Sequence, residues 1–389
     1  MRLNGWAVVV TISSVLAQGQ SVLRAEKYPG ADAGEKIRKC MDALPSTGGV
    51  CDARNLSGNQ SADSGFTVGT PGKPVELMLG PVTLLAKGTI HVLAKSSIVG
   101  MPASAGIGSD QSPTVIKAAD GSRLNAIVQI DGPLAVLQDL TVDGNKKDAP
   151  QGNVGILVLN ANRAEMFRVT AQNAPKYGME IYSDNNESCC AKLSKIMAIA
   201  NGETGLHLAN TADVFISLSE FEENGKYGVE LNNSPTTRLE HSDFGGNFED
   251  GIRVYGTAQS RLQSNRQIIV GNQFGNNAHY DINIQGFDYA AKRHVATGHL
   301  ISSNEFIGSD RRPSGYDAIH ITDSGENNIF GNIFSAGSDH PYRYCIFIEG
   351  KYELPDQING NYCRAVKAGG TGDYKGTGNT VFGTNSATK

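Results

Sequence analysis

Glu180, His207, Glu230 and Arg253 lie 27, 23 and 23 residues apart in this 389-residue chain. Each is the middle residue of a short apolar-x-apolar segment: Gly178-Met-Glu-Ile181, Gly205-Leu-His-Leu208, Gly228-Val-Glu-Leu231 and Gly251-Ile-Arg-Val254. On one surface they could work in two ways. Two carboxylates two steps apart can act as acid and base in hydrolysis. Inverting glycosidases hold such a pair at about 6.5–9.5 Å, which leaves room for a water. His207, between them, could orient one carboxylate or tune its proton affinity. Alternatively, Arg253 could neutralise a carboxylate on the substrate while His207 takes the neighbouring proton and Tyr255 serves as the acid, giving elimination or epimerisation. Tyr182 and Tyr255 project on the same face, to stack or hydrogen-bond. The remaining alternative is a solvated polar surface with no chemistry.

The elements that would bring these residues together are repeats. The same short motif recurs at Gly155, Gly178, Gly205, Gly228, Gly251, Asp281, Ala318 and Cys345, with starts 23, 27, 23, 23, 30, 37 and 27 residues apart. That period, one brief strand per unit, is the signature of an all-β solenoid. Side chains alternate along a strand, so two inward apolar residues force the middle one outward. The outward column reads Leu157, Glu180, His207, Glu230, Arg253, Asn283, His320, Phe347. Strands stack about 4.8 Å apart, so Glu180 and Glu230 are about 9.6 Å apart at the backbone. His320 lies farther along, as a substrate-contacting position or plain surface, and His91, His241 and His279 have no comparable company. Repeated Asn (224, 247, 277; 272, 304, 332) and Phe (221, 244, 274, 306, 334) at fixed offsets imply amide ladders and an aromatic stack inside the coils.

Two units carry insertions. One, 285–299, holds Lys292, Arg293, His294 and His299; the other, 309–316, holds Arg311 and Arg312. Insertions in solenoids collect beside one face. These should rise on opposite sides of the column as cleft walls. With His340 and Arg343 they would make a basic groove, suited to an acidic ligand, on a chain of net charge −5. That net charge gives no footprint for nucleic acid.

Residues 1–25 read as a secretory signal peptide, with Arg2, an apolar run from Trp6 to Ala17, and cleavage after Ala17 or Ala25. Its removal up to residue 25 takes two arginines and no acid, making the net charge −7. The run is too short to span a bilayer, which takes about 20 residues, and no later segment could span one, so an extracellular or periplasmic protein is expected. Residues 26–75 are expected to form a helical cap, with Ile37, Met41 and Leu44 on its apolar face, followed by a loop at 57–74. Residues 76–389 are expected to form the coils. An oxidising compartment suits six cysteines. Cys40 with Cys51, and Cys345 with Cys363, are plausible local disulfides; Cys189 and Cys190 have no obvious partner. No spacing supports zinc. No cofactor is expected: a calcium-dependent lyase would want an acidic oxygen cluster, and Asp139 and Asp143 are too isolated to establish one.

Tyr28-Pro-Gly-Ala-Asp-Ala-Gly-Glu-Lys-Ile37, the helix to Cys51, Leu77-Met-Leu-Gly-Pro-Val-Thr-Leu-Leu85 and Ser96-Ser-Ile-Val-Gly100 resemble the capping helix and first coils of the pectate-lyase-like superfamily, especially its rhamnogalacturonase/epimerase-like branch. The repeats extend the likeness over most of the chain. The resemblance implies a right-handed parallel β-helix, monomeric or trimeric, that binds a polysaccharide on the outside of this sheet. The family includes uronan lyases, hydrolases, epimerases and non-catalytic binding proteins; from the column and the basic loops, a glycoside hydrolase is expected first, a uronan lyase or epimerase second, and a non-catalytic glycan-binding protein third. The resemblance carries over no catalytic residue. The Asn-Thr-Asp, Asp-Asp, Gly-His-Gly and Arg-Ile-Lys segments of polygalacturonases and the Asp-Pro-His of mannuronan epimerases are all absent.

Overall fold

The computed structural model describes residues 21–102, 112–184, 188–308, 316–335, 342–352 and 354–364, and the short strands at 374–375, 380–382 and 386–387. The motif glycines explain how the coils close up. At Gly155, Gly178, Gly205, Gly228 and Gly251 stacked backbones come so near that a Cβ on Gly228, for example, would sit 2.6 Å from the Gly251 carbonyl oxygen and 3.0 Å from the Asn247 amide. With glycine there, the strands stack directly. One parallel sheet of twelve strands results, one strand per turn, running from Phe66–Val68 to Tyr374–Lys375. A second, 25-stranded assembly supplies the other walls of the coil.

Register in the twelve-stranded sheet is continuous. Thr67, His91, Gln129, Leu157, Glu180, His207, Glu230, Arg253, Asn283, His320 and Phe347 pair in one line. The apolar neighbours of these residues point into a core that is closed to water. Within it, Phe221, Phe244, Phe274, Phe306 and Phe334 form a stack with ring centroids 4.6–5.3 Å apart. Two buried asparagine ladders mark the turns: Asn201, Asn224, Asn247 and Asn277 bond in series at 2.9–3.0 Å, and Asn272, Asn304, Asn332 and Asn361 at 2.9–3.1 Å. Each side-chain amide also caps a backbone carbonyl of the preceding turn, as Asn247 does for Phe221 at 3.0 Å. The corner polar groups are thereby satisfied without water.

The N-terminal end is covered as expected. Helix Ala33–Asp42 is capped by Asp32, whose carboxylate accepts from the Glu35 amide at 2.7 Å, and buries Ile37, Cys40 and Met41. Cys40 pairs with Cys51, and Cys345 with Cys363. Cys189 and Cys190 bond to each other. The expected loop at 57–74 instead contains strands Gly58–Ala62 and Phe66–Val68, the first coil. Their sequences, mostly polar or only three residues long, carry too little alternation to read. The coils also begin before the cap: strand Val22–Arg24 pairs with Val50–Asp52, and Ala25 is fully buried. Cleavage after Ala25 would remove that strand; cleavage after Ala17 would spare it. No helix among the described residues is long and apolar enough to cross a membrane.

Two outcomes are expected. Sequencing the N-terminus of exported protein should give Gln18 and not Glu26. Asn247→Ala should lower the unfolding free energy by about 1–3 kcal/mol for each buried group left unpaired, read by denaturant titration. The groups affected are the Asn224 backbone and side-chain amides and the Phe221 carbonyl.

Candidate functional site

The stacked strands Tyr177–Tyr182, Thr204–Ala209, Val229–Asn232 and Ile252–Tyr255 put Glu180, His207, Glu230 and Arg253 on successive rungs in register. His207 Nδ1 is 2.9 Å from Glu180 Oε1, and its Nε2 is 4.0 Å from Glu230 Oε2. A carboxylate only accepts, so Nδ1 carries the proton and Nε2 faces Glu230. The imidazole thus stands between two carboxylates and is only 8% exposed. Tyr177 covers one side, its ring centroid 4.6 Å away. On the other, Tyr255 donates its hydroxyl to Glu230. Burial, then the Glu230 charge and this hydrogen bond, hold the Tyr255 phenol well above its usual range. Arg253 donates to the Tyr227 hydroxyl, and its guanidinium carbon lies 5.0 Å from the Tyr227 ring centre and 5.5 Å from that of Tyr255.

The column alone was an incomplete reading. The position three residues before each middle residue carries side chains that reach across to it. Tyr177 touches His207, Tyr227 touches Arg253, and Asp250 accepts from Asn283 at 2.9 Å. Tyr280 stacks on His320 at 4.4 Å, and Asp317 is 2.9 Å from the same ring. A Tyr or Asp recurring three residues before the column was the available signal. Among the carboxyls of this set Asp250 is clearly perturbed: burial pushes it up to about 6, partly offset by hydrogen bonds from Asn283 and the Tyr280 amide and by Arg253.

Tyr182 is on the face of Tyr255, in the same line three rungs away, and packs with Leu157, Leu159 and Tyr177 in a small apolar cluster. Other expected residues lie elsewhere. His91 belongs to the same column and pairs with Asp131 at 2.6 Å, contrary to its expected isolation. His279 also has company, stacking on Tyr316 at 4.4 Å. Lys292 and Arg293 are exposed at the far end of a hairpin, Phe287–Asp288 with Arg293–His294, on the rung of Asn283. That hairpin packs through Phe287, stacked on Tyr352 at 4.2 Å. His299 is not on a cleft wall: it lies buried between Gln267 and Asn327 in a turn ladder, where burial lowers its imidazole to about 3. Arg311, Arg312 and His340 lie outside the described residues. Arg343 is spent on Asp317, with contacts of 2.9 and 2.6 Å, so it is no unpaired cation of a basic groove. Among the described residues, no group of three or more His, Cys, Asp or Glu is arranged to hold a metal ion. Asp139 pairs with Arg168, and Asp143 accepts from Asn145 and Gln172.

The sign of the Asp250 effect can be tested. A carboxyl raised to about 6 in the folded protein from about 3.9 unfolded stabilises the fold below the lower value. That contribution is lost as pH rises through about 6, on the order of 3 kcal/mol in all. Asp250→Asn should flatten the fall in stability between about pH 4 and pH 6 relative to the parent, measured by denaturant titration at each pH. Asp356, also raised to about 6 by burial, stays in both proteins and cancels in the difference.

Comparison with known proteins agrees with this architecture. The family described as right handed beta helix region matches residues 154–287. No curated protein matches the chain. Among solved structures, the A-module of mannuronan C-5 epimerase AlgE6 from Azotobacter vinelandii aligns with a TM-score of 0.67 at 14% identity, over 94% of this chain and 99% of that one. The Dettilon tailspike protein aligns with a TM-score of 0.58 at 12% identity, over 91% and 68%. DFA-IIIase from Arthrobacter chlorophenolicus A6, without its lid, aligns with a TM-score of 0.52 at 10% identity, over 87% and 94%. At these identities the likeness is one of fold, and the chain is a right-handed parallel β-helix.

Proposed function

We propose that the chain is an exported carbohydrate-active enzyme that hydrolyses a glycosidic bond of a polysaccharide, with Glu180 and Glu230 as the acid–base pair. One observation carries this reading: a single imidazole stands between two carboxylates on the outer face of the sheet. The arrangement gives the two acids different company. Glu180 accepts from His207. Glu230 accepts from Tyr255 and faces the other imidazole nitrogen. Different partners are what separate an acid from a base of the same chemical type. The imidazole between them keeps the two carboxylates out of mutual contact, one at each ring nitrogen, and inverting enzymes likewise hold their two carboxyl groups apart, at about 6.5–9.5 Å. The neighbouring epimerase and DFA-IIIase structures support a carbohydrate substrate through fold alone. Arg253, walled by Tyr227 and Tyr255, supports an acidic one.

A second reading is elimination or epimerisation beside a uronate carboxylate. It is favoured by the closeness of Arg253 to Tyr255. His207 would take the proton, Tyr255 would supply one, and Arg253 would hold the carboxylate.

The test is a panel of acidic and neutral polysaccharides incubated with purified protein, followed by assay of the active substrate with variants. Hydrolysis yields reducing ends without the ultraviolet absorbance of unsaturated sugars; elimination yields both. Glu230→Gln and Glu180→Gln should each lower turnover by about 10²–10⁴-fold with the fold intact. Unchanged turnover in Glu230→Gln overturns the hydrolytic assignment. Binding without any new reducing end, double bond or epimer on every substrate would make this a glycan-binding protein.

A further inference from the structure

Three rungs beyond Glu230 the same face carries a second set of reactive groups, unused by the chemistry above. Strand Ile319–Thr322 holds His320 and Thr322, and Asp317 lies just before it. Asp317 is fully buried and held from three directions. Arg343 grips it at 2.9 and 2.6 Å, and the Tyr344 amide donates at 3.1 Å. The single guanidinium of Arg343 bonds both carboxylate oxygens, the bidentate pairing that fixes such a group in place. Its Oδ2 is 2.9 Å from His320 Nδ1, so Nδ1 is the protonated nitrogen. The other nitrogen, Nε2, therefore accepts from the Thr322 hydroxyl at 3.1 Å. Tyr280 stacks on the imidazole at 4.4 Å from one side and Phe347 at 5.4 Å from the other, which fixes the ring plane. The result is an unbroken relay, Arg343 to Asp317 to His320 to Thr322.

A hydroxyl bonded to an imidazole whose far nitrogen is oriented by a buried carboxylate is the geometry of an activated nucleophile. Such constellations are identified by roles, not by chain position. The surroundings fit an acyl substrate. Gln285 pairs with Thr322 across the adjacent rung, so its side-chain amide is a candidate to stabilise a developing oxyanion. Glu349 Oε1 lies 3.5 Å from His320 Nε2, where it would stabilise the imidazolium formed when the hydroxyl gives up its proton. Asp323, next after Thr322, ties down the neighbouring aromatic wall: the Tyr289 hydroxyl donates to it, and so does the Tyr352 amide at 2.6 Å. Those two rings are 55% and 36% exposed and offer faces for a sugar ring.

We propose that Thr322, His320 and Asp317 form a second active centre that hydrolyses carboxylic esters, such as short acyl groups carried on a sugar. Thr322 Oγ1 adds to the carbonyl carbon as its proton passes to His320 Nε2. The carbonyl–oxygen bond to the alcohol breaks, and the alcohol leaves with that proton. Water then adds to the acyl-threonine, its proton taking the same path. The carboxylic acid departs, and the hydroxyl is restored. This centre does not depend on the glycosidic reaction assigned to Glu180 and Glu230.

The experiment uses the purified full chain with p-nitrophenyl acetate as substrate and a fluorophosphonate as covalent probe. Ester hydrolysis should fall about 10³-fold or more in Thr322→Val and persist in Thr322→Ser, with unfolding temperatures unchanged. Peptide mass spectrometry should place the probe on Thr322 of the parent, and His320→Gln should abolish the label. If Thr322→Val does not fold, the Ser variant and the site of labelling decide the question. Hydrolysis at the parental rate in folded Thr322→Val, a label on another residue, or neither hydrolysis nor label in the parent overturns the proposal.

Discussion

Every feature of this protein follows from one constraint: successive turns stack in parallel and in register, so the same position of each turn lies directly over the last. Backbone contact at Gly155, Gly178, Gly205, Gly228 and Gly251 is close enough to exclude a side chain. Inward residues must then fill a closed core, and outward residues must accept as neighbours whatever the turns above and below supply. A catalytic grouping on such a surface needs no loop to assemble it. Residues 27 and 23 positions apart in sequence become adjacent because the turns have those lengths. The asparagine ladders and the phenylalanine stack hold the pitch, and with it the spacing of Glu180, His207 and Glu230.

The same constraint explains what could be read from sequence. Outward orientation depends only on alternation, so the column was legible from Leu157 to Phe347, and the ladders were legible because their spacing repeats. The lateral partners were not. Tyr177 opens its strand, and Tyr227, Asp250, Tyr280 and Asp317 lie just before theirs, where no alternation rule fixes direction. Their reach to the next rung depends on the bend of the turn. Short or polar strands were likewise invisible: Gly58–Ala62 has only one buried side chain. Charge was misjudged for a related reason. Arg343 looked available because its acid, Asp317, is 26 residues away in the chain.

The face divides by chemistry along its length. Around His207 the acids are glutamates on neighbouring rungs, reaching sideways to one ring. Around His320 the nearest acid is an aspartate within the same turn, fixed by arginine, and at the other nitrogen a hydroxyl joins the second carboxylate, Glu349. Both histidines are nearly closed to solvent, at 8% and 7% exposure. Aromatic residues do the covering in both places: Tyr177 in the first, Tyr280 and Phe347 in the second. Rings of this kind provide apolar faces for sugars while narrowing access for water.

The most direct measurement is the crystal structure of Glu230→Gln with an oligosaccharide that the parent cleaves. The glycosidic oxygen is expected over His207, between Glu180 and the substituted side chain, with the sugar carboxylate or ring against Arg253 and Tyr255. An oligosaccharide bound elsewhere on the solenoid, with the Glu180–His207–Glu230 group untouched, would contradict the account.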